Sequence, residues 1–165
     1  MGITYGAWTA FTVTNLTSIA SDATDVYAGW GSSLVDNQTS VKADDYEIFW
    51  KVPMSTVAPA NDQAAYAYVV PWQYDGTTWY PAANYGTTVQ PSTAEGTANI
   101  SDPNSMKGPY VMPYKTGGQI LQGFFNISQF CRSMPDGFSL AFRNATGAAS
   151  SGTPVVAYRS VNYTS

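Results

Sequence analysis

The sequence predicts an all-β domain, a jelly-roll β-sandwich with one short helix near residues 127–134. Three observations predict it. Short runs rich in Val, Ile, Thr, Tyr, Phe and Trp suit a pleated, half-buried surface. Several of these runs alternate apolar with polar or small residues at period two. The 14 Gly and 10 Pro residues punctuate the 165-residue chain every ten residues or so.

Taken in order, Ala10 to Asn15 is the first strand candidate. Tyr46 to Val52 is the clearest, because Tyr46, Ile48, Trp50 and Val52 share one face while Glu47 and Lys51 share the other. In Ala64 to Val70, Tyr66, Tyr68 and Val70 alternate with alanines and Val69. Pro71 is expected to end that strand or place it at a sheet edge, since proline cannot donate to a ladder. Asp75-Gly76 lies between Trp72–Tyr74 and Thr77–Tyr80 and reads as a tight hairpin turn. Tyr110 to Tyr114, Gln119 to Phe125, Phe138 to Asn144 and Pro154 to Tyr163 complete the strands, with Phe138, Leu140 and Phe142 on one face. Ile127, Phe130, Cys131 and Met134 stand at i, i+3, i+4 and i+7. That spacing predicts about two helical turns, with Asn126 as N-cap, Gln129 at the capping-box position and Pro135 as the stop. Cys131 on the apolar face reads as a small core residue.

Length and composition bound the rest. A chain of this size buries roughly 70% of its unfolded surface and forms one domain without disulfides, and the single cysteine cannot make an internal bridge. Residues 1–40 read as an N-terminal arm with first strands, its opening stretch of about Met1 to Thr9 ordered by a partner, and residues 41–165 as the jelly-roll domain. No apolar run approaches the ~18 residues of a membrane span, and no basic stretch followed by an apolar one opens the chain, so neither membrane insertion nor a secretory signal is expected. A net charge of −4 disfavours nucleic acid as a partner. The charge is uneven: residues 1–106 sum to −8 and residues 107–165 to +4. Lys107, Lys115, Arg143 and Arg159 are therefore candidates for a basic contact face.

No catalytic residues, cofactor site or metal site are expected. Without histidine, no Ser-His-Asp or Cys-His arrangement can form, and phosphate-loop spacing is missing. Asp44, Asp45 and Glu47 could share an ion or act as paired carboxylates, but solvated acids at a strand entrance account for them more simply. Trp72, Tyr74, Trp79, Tyr80 and Tyr85 crowd around the hairpin, where rings beside polar groups could stack on sugars or fill the core. Asn-x-Ser/Thr occurs six times, at Asn15, Asn37, Asn99, Asn126, Asn144 and Asn162, a pattern that turn-to-strand junctions also use. Gly147, in Asn144-Ala145-Thr146-Gly147, is expected at positive φ.

The run from Met134 to Ala149, with Pro135-Asp136-Gly137-Phe138 leading to Asn144-Ala145-Thr146-Gly147-Ala148-Ala149, and the terminal Tyr158-Arg159-Ser160-Val161-Asn162-Tyr163 resemble the tail of tailed-phage capsid cement (decoration) proteins. Tyr74-Asp75-Gly76-Thr77-Thr78-Trp79-Tyr80-Pro81 is similar to their central turn. The resemblance spans about residues 40–165 and is strongest from about 119; Phe138-Ser139 stand where that pattern has Trp-Gly. It implies a non-enzymatic jelly roll on the outer surface of the virion capsid, made in the host cytoplasm. Its partners would be the major capsid protein and itself, as homodimer or homotrimer. The candidate contacts are Trp8, Phe11, Trp30, Trp72, Tyr74, Trp79, Lys107, Lys115, Arg143 and Arg159. A carbohydrate-binding or receptor-binding β-sandwich module is the alternative, and a jelly-roll glycosidase using Asp44, Asp45 or Glu47 is a third.

Overall fold

A computed structural model describes residues 2–22, 28–39, 42–59, 63–82, 91–100 and 106–164. Among them twelve strands form two antiparallel sheets: β1 (Gly2–Tyr5), β2 (Thr9–Ala10), β3 (Ala28–Gly31), β4 (Val35–Asp36), β5 (Asp45–Pro53), β6 (Ala64–Tyr74), β7 (Trp79–Pro81), β8 (Gly96–Asn99), β9 (Lys107–Pro113), β10 (Ile120–Asn126), β11 (Gly137–Ala145) and β12 (Val155–Thr164). The first sheet has the order β1-β12-β5-β10, with β2 also on β12. The second runs β7-β6-β11-β3-β8, with β4 on β11 and β9 on β6. The chain crosses repeatedly between the two sheets, β5, β10 and β12 of the first being separated in sequence by β6–β9 and β11 of the second, which makes an all-β sandwich.

The main core lies between the sheets. Tyr46, Ile48, Trp50 and Val52 face it from β5, and Phe138, Leu140 and Phe142 from β11, all buried. Trp50 meets Trp30 edge-on at 5.9 Å between ring centroids and stacks on Phe142 at 6.0 Å. On β6 the small side chains Ala65 and Ala67 face this core with Val69, leaving room for those rings. Its larger Tyr68, Val70 and Trp72 face outward, into a second cluster with Ala141, Ile100 and Met106. The central strands β6 and β11 of the second sheet are therefore buried on both faces.

Three expectations need correction. Ala10 to Asn15 is not a strand: β2 stops at Ala10 and a 3-10 turn spans Thr14–Leu16, with Leu16 buried. Pro71 does not end β6, which continues to Tyr74 with β11 on one side. On its other side β6 pairs with β9 as far as Val69 and with β7 from Trp72, so proline occupies the changeover. The Pro71 carbonyl accepts the Ala82 N–H at 2.8 Å on that side, where no ladder N–H is needed. The helix near 127–134 is a single 3-10 turn, Ile127–Gln129, and Asn126 makes no side-chain cap. A buried carboxylate takes over that end instead: Asp45 accepts from Ser128 N at 3.0 Å, Ser128 Oγ at 2.5 Å and Asn126 Nδ2 at 3.1 Å. The opening segment forms an edge strand, β1 pairing with β12 on one side from Gly2↔Thr164 to Tyr5↔Val161, with its residues exposed. Residues 1–40 thereby contribute strands to both sheets.

Candidate functional site

The outer faces of the two sheets differ sharply. Ile100 and Met106 help cover that of the second sheet. That of the first is open. Period two along its strands turns Ile3 and Tyr5 (β1), Val155, Ala157, Arg159 and Tyr163 (β12), Glu47, Phe49 and Lys51 (β5), and Ile120, Gln122 and Phe124 (β10) to this side. Seven of the ten large hydrophobic residues left exposed among the described residues lie here: Ile3, Tyr5, Trp8, Ile120, Phe124, Val155 and Tyr163.

Trp8 organises the surface. Phe124 and Phe49 are direct cross-strand partners, and the Trp8 indole meets both edge-on, at 5.7 and 6.5 Å. Its other side meets Arg159, whose guanidinium lies 4.8 Å from the Trp8 ring centre and 4.2 Å from that of Tyr5. Glu47 fixes the same guanidinium through a 2.5 Å bond to Nε. The salt bridge holds Arg159 flat, so that two rings can stack against it. Trp8 nonetheless keeps 44% of its surface exposed and Phe124 47%. Beside them, Phe49, Tyr110, Gln122 and Phe124 border a hollow of about 340 Å³. Rigid rings around a pinned charge, next to a hollow, offer a flat contact surface of low conformational entropy.

The sequence-predicted contact residues divide by where the fold puts them. Trp8 and Arg159 are brought together on this face. Trp30, Phe11 and Trp72 are buried and cannot touch a partner. Trp30 donates its indole N–H to Glu95 at 2.8 Å, and Trp72 donates to Ser139 Oγ at 2.9 Å. Tyr74 and Trp79 pack on each other at 4.8 Å on the hairpin of the other sheet, Tyr80 beside them is exposed, and Tyr85 lies outside the described residues. The basic residues do not share one face: Arg143 is on β11 of the second sheet, paired with Asp22 at 2.7 Å, while Lys107 begins β9 and Lys115 lies beyond its end. Asp44, Asp45 and Glu47 do not converge on an ion. Asp44 accepts from Tyr163 N at 2.7 Å, Asp45 holds the 3-10 turn and Glu47 holds Arg159. Among the described residues no group of three or more His, Cys, Asp or Glu is placed to hold a metal. Cys131 sits in the main core, where burial pushes its thiol above the ordinary range despite the nearby Lys107.

Tyr5, Phe49, Ile120, Phe124 and Tyr163 were not singled out from the sequence. Their signal was present: Phe124-Phe125 and Ile48-Phe49-Trp50 carry large apolar groups on both parities of a strand, so one set must point outward. No family model, curated protein or solved structure matches the chain.

Proposed function

We propose that the protein is a structural virion protein that docks by the outer face of its β1-β12-β5-β10 sheet on the outer surface of a phage capsid and cements the lattice of the major capsid protein. The observation that carries this reading is the asymmetry of the sandwich, with one sheet covered on its outer face over its central strands and the other leaving seven large hydrophobic groups in the open. A contiguous apolar face rimmed by charge marks a protein contact more often than a solvated surface. The resemblance of residues 119–165 to capsid cement proteins supplies the kind of partner. Repetition over symmetry-related sites would add avidity to a modest single contact.

Mass spectrometry of purified intact particles tests it. The protein is expected at a copy number comparable to the major capsid protein, and Trp8→Ala is expected to remove it from the particles while leaving its thermal unfolding nearly unchanged. Absence of the wild-type protein from particles would overturn the reading. The exposed rings of Tyr5, Trp8 and Phe124 also favour a second reading, a sugar-stacking platform. Saturable binding on a glycan array, abolished by Trp8→Ala, would select it.

A further inference from the structure

The changeover at Pro71 leaves a notch in the second sheet, between the end of β7 and the start of β9. The β10–β11 connection crosses this notch and supplies its opposite wall. Together they enclose a cleft of about 600 Å³, inside the size range of small-ligand sites. Its lining is mixed: Phe130, Met134 and Pro135 supply apolar surface, Gln73, Ser133 and Asp136 polar surface, and Lys107 and Arg132 stand on its exposed rim. Neither cation is in an ion pair among the described residues, whereas Arg143 and Arg159 each hold a carboxylate. The acid in the lining, Asp136, has one carboxylate oxygen turned to the backbone, accepting Tyr74 N at 3.1 Å. The Cys131 thiol, held protonated by burial, adds no negative charge.

From this geometry we propose that the cleft binds a monoanionic carboxylate carried on a ring-sized apolar body. The apolar surface of Phe130, Met134 and Pro135 would take the body, and the Arg132 fork with the Lys107 ammonium would take the carboxylate. Asp136 in the same lining penalises a dianion such as a phosphate monoester more than a single carboxylate. The carboxylate could belong to a free small acid or to the C-terminus of a peptide. The inference does not depend on capsid attachment, because the cleft belongs to the other sheet.

Titration of the full chain, followed by NMR at the Trp72 indole and the amides of residues 130–136, tests it with four probes. These are 3-phenylpropionate, its neutral amide, a tetrapeptide ending in a free phenylalanine carboxylate, and that peptide amidated. Saturable shifts with an acid, and binding at least tenfold weaker for the matching amide, are expected. Arg132→Gln with Lys107→Gln is expected to weaken the acid by more than tenfold, and both residues are exposed enough for the fold to persist. Comparable binding of the free-acid peptide and the small acid would identify a chain-end site, and preference for the small acid a metabolite site. Equal affinity for acid and amide, an unchanged affinity in the double variant, or no saturable shift with either acid would overturn the proposal.

Discussion

Gly147 sits at φ +81°, at the tip of a turn tied together by one asparagine. Asn144 Nδ2 donates to Ala148 O at 2.8 Å and to Ile19 O at 3.1 Å, while Oδ1 accepts from Thr146 Oγ1 at 2.7 Å. A Cβ at Gly147 would run into the side-chain amide of Gln63 besides being strained in the left-handed region. Gly147→Val should therefore destabilise the fold by about 1–3 kcal/mol, which lowers the melting temperature by roughly 2–4 °C per kcal/mol in a chain of this size. Gly147→Asn should cost less, since asparagine tolerates this region. Equal melting temperatures for wild type and Gly147→Val would contradict the assignment. The same residue scale accounts for several of the repeated Asn-x-Ser/Thr tripeptides. The amides of Asn15, Asn37, Asn126 and Asn144 bond respectively to Glu95, Ala43, Asp45 and the Ile19 and Ala148 carbonyls, so they serve as local staples between segments. The buried Asn37 and Asn144 leave no room for a glycan on those nitrogens.

At the scale of elements, Asp45 is the carboxylate whose loss should be felt most widely. It is buried at the start of β5, and its two oxygens gather Tyr46 N, both Ser128 donors and Asn126 Nδ2. Asp45→Ala would leave the buried Tyr46 N–H and the part-buried donors of Ser128 and Asn126 without this acceptor, and is expected to cost about 1–3 kcal/mol in urea unfolding. Hydrogen exchange at Ser128 and Cys131 should speed up with it, because Cys131 N closes the same turn on Ile127 O at 3.0 Å. An unaltered urea midpoint would show that Asp45 is dispensable. This carboxylate also explains where reading the sequence succeeded and failed. Strands with polar residues on one parity, such as Tyr46 to Val52, were legible because alternation alone fixes their inward face. The turn after Asn126 reads as helix in the sequence because its end is satisfied by a residue 83 positions earlier, which no local pattern encodes. Ala64 to Val70 was legible as a strand, but not which face meets the main core, since its larger residues fill a second cluster outside. The candidate surface suffered from the same gap: Trp8 and Arg159 could be named singly, but their meeting over Phe49 and Phe124 depends on the pairing of β12 with β5 and of β5 with β10.

For the whole molecule, the question is which force holds the proposed contact. The chain carries −4 overall, but its candidate face carries Lys51 and Arg159 against Glu47, so it is less acidic than the rest of the surface. Arg159 is already committed to Glu47 and to two rings. With Arg143 paired on the opposite sheet, and Lys107 and Arg132 at the cleft of that sheet, no concentrated basic field remains on this face to bind an acidic lattice. Exposed ion pairs are worth about 0–1 kcal/mol each, so charge here orients the domain rather than holding it. Burial of Ile3, Tyr5, Trp8, Ile120 and Phe124 contributes roughly 25 cal/mol per Å² before association costs, and ordinary salt does not weaken it. Raising the ionic strength should therefore slow attachment to particles stripped of the protein, yet hardly release molecules already bound. At about 1 M salt, where screening is nearly complete beyond ~3 Å, co-sedimentation with particles should persist for the wild type and be lost for Trp8→Ala at any salt concentration. Release of the wild type at that salt would assign the attachment to electrostatics, and the apolar face would then need another occupant.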